Sequence, residues 1–334
     1  MTKKALICFP HKPSSEGGPG TFQNNLESYL KQNDFDIIYP ESKLKPDLIF
    51  VVAGTRRILW LLLMKFRGVK ILHRLDGMNW KYKYEHINFK NRYKQVLQNL
   101  IIVFIRNFLA DLVVYQSKFI EKWWTGKYGE KKNSSIIVNG SSFFESSRIV
   151  NQSKEKITLT CIEGNIQDDN VTTSILQKLD TDFPNMENID SIEIFGNHSQ
   201  IRNLNSYTNL QFRGSVPRRD VKGILQRKKR IFFLLELNPP CPNSMIECLS
   251  LGFPCVGFDT GAYEELLDGA GISIPYNGDV WKLEEPSIDD ILDAVNKVSR
   301  NYENYSSTAL EVAEKYDIKN MTREYLEAID SLLI

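Results

Sequence analysis

The sequence predicts an α/β chain of two domains, each a parallel sheet with helices on both faces. Two observations carry this, and a third bears on partners. Unbroken apolar runs of strand length alternate with helix-length segments along most of the 334 residues, as strands buried on both faces require. The length exceeds what one hydrophobic core usually organises. Charge also divides the chain: residues 1 to 150 hold 24 Lys or Arg against 12 Asp or Glu, net +12, and residues 151 to 334 hold 18 against 29, net −11.

The first strand is expected at Ala5 to Phe9. Only Met1 to Lys4 precede it, and the apolar run is too short for a signal peptide, so a cytoplasmic chain is expected. Loop Pro10 to Thr21, PHKPSSEGGPGT, follows, then a helix through Phe22 to Leu30. Gly17, Gly18 and Gly20 allow close approach of a ligand to the backbone. The spacing is not the dinucleotide fingerprint G-x-G-x-x-G, and a tight turn explains the glycines as well. Further strands are expected at Asp36 to Tyr39, Leu48 to Ala53 and Val69 to His73. The helix Arg57 to Phe66 is apolar nearly all round but about ten residues long, so it is a buried or an interfacial helix and not a membrane span.

His73 to Trp80, HRLDGMNW, forms the next loop, and Trp80 to Lys94 interleaves aromatics with cations. Such a segment stacks on sugars or bases, sits at a membrane interface, or is a solvated helix face. Val96 to Leu109 continues as an apolar helix. The polar stretch Glu145 to Lys156 reads as a linker, giving domains at 1-148 and 156-315 and a closing helical segment at 316-334. Strands at Ile157 to Glu163 and Ser191 to Gly196 open the second domain. The five cysteines form no C-x-x-C pair and read as buried thiols.

Arg230 to Leu266 packs strand, loop, helix, strand, loop and helix start into under forty residues. Ile231 to Leu235 and Cys255 to Phe258 are the strands. Pro239, Pro240 and Pro242 delay the helix until Asn243 or Ser244 caps it, and Gly252 ends it. A turn at Thr260 and Gly261 leads into a second helix at about Ala262. Two helix N-termini then lie at the carboxyl ends of adjacent parallel strands, where phosphates bind. Ser244-x-x-Glu247 fits a capping box; the other reading gives the Glu247 carboxylate to ribose hydroxyls.

Glu247 to Cys255, ECLSLGFPC, resembles the E-A-M-A-x-G-x-P-V segment of the retaining glycosyltransferases of family 4, and Thr260 to Glu264, TGAYE, resembles their G-G-x-P-E. Ala110 to Ser117 is similar to the family's A-D-x-V-x-x-x-S, and Ile136 to Gly140 to its I-P-N-G. The resemblance implies the GT-B fold, two Rossmann-like domains whose parallel sheets face a cleft. It implies a nucleotide-sugar donor, UDP- or GDP-linked and held mainly by the second domain, and a saccharide or lipid-linked acceptor held by the first. Glu247 would hold the ribose, with amides from Asn243, Ser244 and Met245 and from Thr260, Gly261 and Ala262 on the diphosphate. Gly18 and Gly20 would lie beside the donor. Asp76 would serve at the reacting carbon, with Arg74 and Trp80 beside it at the acceptor. The closing helix would cross back to the first domain. Retention without a required metal or separate cofactor is implied.

Two departures stand out. The first Glu of the family's Glu-x7-Glu falls on Pro239, and the Arg and Lys expected after the first strand of the second domain fall near Asn165 and Asp169. Arg213, Arg218 or Arg219 are the substitutes nearest to hand. The basic, aromatic first half makes an anionic membrane surface a candidate partner, although the two halves attracting each other explains the charges too. Nucleic acid is not expected, since only the basic half would suit it. The alternatives are a catalytically impaired sugar-binding or partner subunit and a nucleotide-sugar epimerase.

Overall fold

The computed structural model describes residues 5–13, 18–84, 89–143 and 156–333. The chain divides into two compact units, Met1–Gly140 with Ile318–Ile334, and Ser141–Asp317.

Unit 1 carries β1 (Ala5–Cys8), α1 (Gly18–Gln32), β2 (Phe35–Ile38), β3 (Leu48–Val52), α2 (Ile58–Phe66), β4 (Lys70–Leu75), α3 (Phe89–Phe104), β5 (Leu112–Tyr115), α4 (Lys118–Tyr128) and β6 (Ser134–Ile136). Its sheet is parallel throughout, in the order β2-β1-β3-β4-β5-β6. Side chains alternate across it as strand geometry demands. Ile7, Leu48 and Phe50 join α1 in one cluster, while Cys8, Ile49 and Val51 join α2 in another. Both clusters are buried, which is why these strands read as continuous apolar runs rather than alternating ones. A π-turn, Ile105–Leu109, continues α3 and brings Ile105 and Leu109 into the second cluster.

Unit 2 carries β7 (Ile157–Asn165), α5 (Asn170–Asp182), β8 (Ile189–Asn197), β9 (Leu210–Gly214), α6 (Arg218–Leu225), β10 (Lys229–Leu234), α7 (Asn243–Ser250), β11 (Cys255–Phe258), α8 (Tyr263–Leu267), β12 (Gly271–Ile274), α9 (Asp290–Arg300) and α10 (Tyr302–Ala313). Its sheet is also parallel, in the order β12-β11-β10-β7-β8-β9. Finally α11 (Ile318–Leu333) returns to unit 1, where Met321, Tyr325 and Ile329 enter the α1 cluster. All five cysteines are free and buried.

The expected strands are present within a few residues, but two elements differ. α1 begins at Gly18, not at Phe22. Gly18-Pro19-Gly20 is its first turn, because proline's fixed φ and missing N–H suit that position. Gly17, with residues 14–16 of the same loop, lies outside the described residues. The second concerns α2, expected as a buried or an interfacial helix: only Leu61 and Met64 are buried, while Leu59 and Phe66 are 83% and 90% exposed, so the fully buried alternative falls.

Candidate functional site

In a doubly wound sheet, ligands bind where the strand order reverses, beyond the carboxyl ends of the strands. In unit 2 that point lies between β7 and β10, next to β11, and the loops leaving β10 and β11 meet there. Asn238, with φ of 50°, turns the chain after β10. Gly261, with φ of 63°, turns it after β11 and sits against Asn238 and Pro239 so closely that an added Cβ would collide with the Pro239 backbone. Ala262 N–H donates to the Pro239 carbonyl at 2.9 Å, and Asn238 N–H donates to Thr260 Oγ1 at 3.2 Å. Pro239 therefore closes this joint.

That joint alters the expected diphosphate contacts. The N–H of Ala262 goes to Pro239, and that of Thr260 to the Phe258 carbonyl at 2.8 Å. Of the three amides expected there, only that of Gly261 has no backbone acceptor within this joint among the described residues. α8 is five residues long, so its dipole is far weaker than that of a full helix. α7, at eight residues, has the longer run of aligned peptide dipoles. Asn243, Ser244 and Met245 form its first turn, and its N-cap, Pro242, supplies no side-chain cap. The first-turn N–H groups of a helix have no intrahelical acceptors.

Glu247 is the fifth residue of α7, so the capping-box reading is corrected. The helix starts one residue before Ser244, and the carboxylate turns to the Arg218 guanidinium at the start of α6 instead of back to the cap. The Glu247 side chain is 9% exposed and that of Arg218 41%. Burial pushes the Glu247 carboxyl above the usual carboxylate range, and Arg218 offsets part of that rise. Arg218 also lies 5.7 Å over the Phe143 ring. A buried carboxylate with one half-exposed cation, on a helix whose N-cap residue gives no side-chain cap, can accept hydrogen bonds from hydroxyls while the cation and amides take an anion.

Arg213 is not part of this constellation. β9 lies at the sheet edge, three strands from β10, and Arg213 pairs with Glu193 at 2.8 Å. Arg230 reaches the same carboxylate at 2.7 Å. Burial raises the Glu193 carboxyl, but the two guanidinium groups outweigh it and hold it low. This is a structural ion cluster. Asp169, near the expected Lys position, caps α5 by accepting from Thr172 N–H at 2.7 Å. Asn165 Oδ1 accepts from Asn197 at 3.0 Å.

In unit 1, Asp76 follows β4 and its side chain is 22% exposed. It accepts from Arg74 at 2.6 Å and from Gln116, and Trp124 Nε1 donates to its backbone carbonyl at 3.0 Å. Arg74, expected at the acceptor, is itself 1% exposed. Its guanidinium donates to Asn139 at 2.8 Å and stacks 3.8 Å over Phe22, so it positions Asp76 rather than meeting a ligand. Trp80 is half-buried at the start of a short turn, Lys81–Lys83. His73 is fully buried and bonds to the Ala53 carbonyl at 2.6 Å.

The switch point of unit 1 lies between β1 and β3, where Gly18 is exposed and Gly20 buried in the first turn of α1. His11 shares a 2.8 Å hydrogen bond with Thr55 there. Sequence reasoning passed over His11; its place directly after the first strand was the available signal. Two Asp-x-Asp triplets occur, and neither lies at a switch point. Asp34 and Asp36 flank the start of β2, and Asp180 accepts from the Asn209 N–H at 2.6 Å while Asp182 lies near Lys178.

No family model matches the chain, and neither does any curated protein. Solved structures do. HepE from Anabaena, solved in complex with UDP, has a TM-score of 0.69 at 14% identity, covering 98% of this chain and 100% of that one. Sucrose-phosphate synthase from Thermosynechococcus elongatus has a TM-score of 0.75 at 11% identity, covering 98% and 99%. The lipopolysaccharide outer core galactosyltransferase WaaB, in its apo form, has a TM-score of 0.66 at 12% identity, again covering 98% and 99%. With two parallel six-stranded sheets matched over nearly their full length, the chain has the α/β GT-B fold of glycosyltransferases.

Proposed function

We propose that the protein transfers a sugar from a nucleoside-diphosphate sugar to a saccharide or lipid-linked acceptor, with retention and without a required metal, in polysaccharide or glycoconjugate synthesis. The observation that carries this reading is the buried Glu247 carboxylate on α7, whose N-cap Pro242 gives no side-chain cap, with Arg218 as its partner. Glu247 accepts hydrogen bonds from the ribose. The amides of Asn243, Ser244 and Met245, with that of Gly261, hold the diphosphate, and Arg218 supplies the cation that Asn165 and Asp169 do not. The positive helix end and Arg218 stabilise the charge that develops as the sugar–phosphate bond breaks. The acceptor hydroxyl forms its bond on the same face, with Asp76, held by Arg74 and Gln116, on the acceptor side. Gly18 and Gly20 line the donor side of unit 1, and Trp80 stacks on the acceptor.

The donor is UDP- or GDP-linked, and the UDP and UDP-glucose complexes of HepE put UDP first. Among the described residues no helix is long and apolar enough to cross a membrane. The site of action we infer is the cytoplasm, at an anionic membrane surface where lipid-linked acceptors are found.

Calorimetric titration with UDP, GDP and their sugars, on the wild type and Glu247→Gln, tests the reading. One nucleotide should bind, and the variant should lose about 10- to 100-fold in affinity, the scale of a hydrogen bond to a charged group, with its urea midpoint little changed. Binding of none of them would overturn the transferase in favour of a partner subunit. Release of an altered free sugar without any acceptor would mean an epimerase.

A further inference from the structure

The large apolar side chains that remain exposed are concentrated on one part of unit 1. Among the described residues there are ten, all between Leu44 and Phe108 and none in unit 2. On α2, Leu59, Leu63 and Phe66 follow one another at helical spacing and are 83%, 48% and 90% exposed. On α3, Phe89, Tyr93, Leu97 and Leu100 repeat every three or four residues and are 45% to 84% exposed. Such spacing puts each set on one helix face. The two helices are neighbours: Leu61 and Met64 of α2 share a buried cluster with Ile101 and Phe104 of α3 and with the π-turn that follows. Phe104 stacks on Phe108 at 5.3 Å, and Phe108 is 70% exposed. Each helix thus packs one face into this seam and, among the described residues, leaves a second apolar face uncovered, the kind of feature that marks an interaction surface.

The same segment is strongly basic. Residues 56 to 108 contain twelve Lys or Arg against two acids, Asp76 and Glu85. Arg56, Arg67, Lys90, Arg92 and Lys94 are exposed on or beside the two helices. Charge selects the occupant. A second copy of the chain would bring like charge against like charge across a self-complementary contact, whereas an anionic headgroup layer neutralises the cations while the acyl boundary takes the rings and leucines.

We infer that the outward faces of α2 and α3 form a docking surface for an anionic lipid bilayer, lying flat on it with Phe66 and Phe89 inserted and Lys90 and Lys94 among the headgroups. The surface stands on its own observations and does not require the transferase reading.

Flotation of the full chain with phosphatidylcholine vesicles, with and without phosphatidylglycerol, tests this. The wild type should float with the phosphatidylglycerol vesicles only, and salt should release it. Lys90→Glu with Lys94→Glu should weaken the partition by at least about 20-fold, on a scale of roughly fivefold per cation. Leu59→Ser with Phe66→Ser should weaken it roughly tenfold per side chain. All four positions are exposed, so thermal melts should be unchanged. Nucleotide titration of both variants separates this result from the site in unit 2. Equal flotation with neutral vesicles, no flotation, or variants that float like the wild type would each overturn the proposal. So would a dimer in light scattering that Leu59→Ser with Phe66→Ser dissociates, which would make a second copy the occupant.

Discussion

Arg218 and Glu247 form a pair whose two members have unequal reasons to be there. Glu247 is buried, so its charge depends on Arg218, while Arg218 is exposed enough to be solvated alone. Arg218→Ala should therefore cost about 1–2 kcal/mol in urea denaturation, from the carboxylate left without a partner. Adding Glu247→Gln should recover most of that loss. A double variant as unstable as the sum of the two single ones would show that the pair is not coupled. His73 offers a pH test. Burial pushes its imidazole down to about 4 from an ordinary 6.5. Between these values the unfolded chain binds a proton that the folded chain refuses, so stability falls as pH drops through 6.5 and this contribution levels off near 4. The full loss is about 3 kcal/mol on the scale of 1.36 kcal/mol per unit. His73→Leu should remove that slope from a denaturation series between pH 7 and 4; an unchanged slope would assign it to other groups.

At the scale of elements, the joint between the loops after β10 and β11 is the feature that sequence spacing could not supply. Gly261→Ala would place a methyl against the Pro239 backbone at a positive φ, at a cost of about 2 kcal/mol or more. Nucleotide affinity should fall with it, since the joint sets the position of α7; calorimetry on the folded variant checks this. Asp169→Ala should cost about 1 kcal/mol as a lost helix cap and leave nucleotide affinity unchanged, because the carboxylate serves α5. The strands were legible because a strand covered on both faces has to be an apolar run, and Cys255–Phe258 is found within the expected bounds. Glu247 was only half legible. The S-x-x-E spacing is the same whether the helix starts at Asn243 or caps at Ser244, and only the fold brings Arg218 to the carboxylate from an element 29 residues away in the chain. Arg213 was misplaced for the same reason, since nothing in its local sequence reveals that β9 ends up at the sheet edge.

At the scale of the whole chain, unit 1 is completed by its last helix. Residues 1 to 140 supply the sheet and α1, but the face of that sheet formed by Ile7, Leu48 and Phe50 is covered in part by α11. Tyr325, fully buried, packs its ring 5.2 Å from Phe22 and 5.5 Å from Phe50. Phe22 in turn carries the Arg74 guanidinium that positions Asp76, so Tyr325 of the last helix reaches the proposed acceptor residue Asp76 through three contacts. Tyr325→Ala should open a cavity costing about 3–5 kcal/mol. Four of the five tryptophans, Trp60, Trp80, Trp123 and Trp124, belong to unit 1, so intrinsic fluorescence reports chiefly on that unit. Its denaturation midpoint should move to lower urea by the corresponding amount, and Tyr325→Phe, which keeps the ring, should hold most of the stability. Because the proposed nucleotide contacts come mainly from unit 2, nucleotide affinity measured in the absence of urea should survive Tyr325→Ala while transfer to acceptor falls. If affinity and transfer fell together, Tyr325 would be shown to act on the donor site as well, and the division of labour between the two units would be wrong.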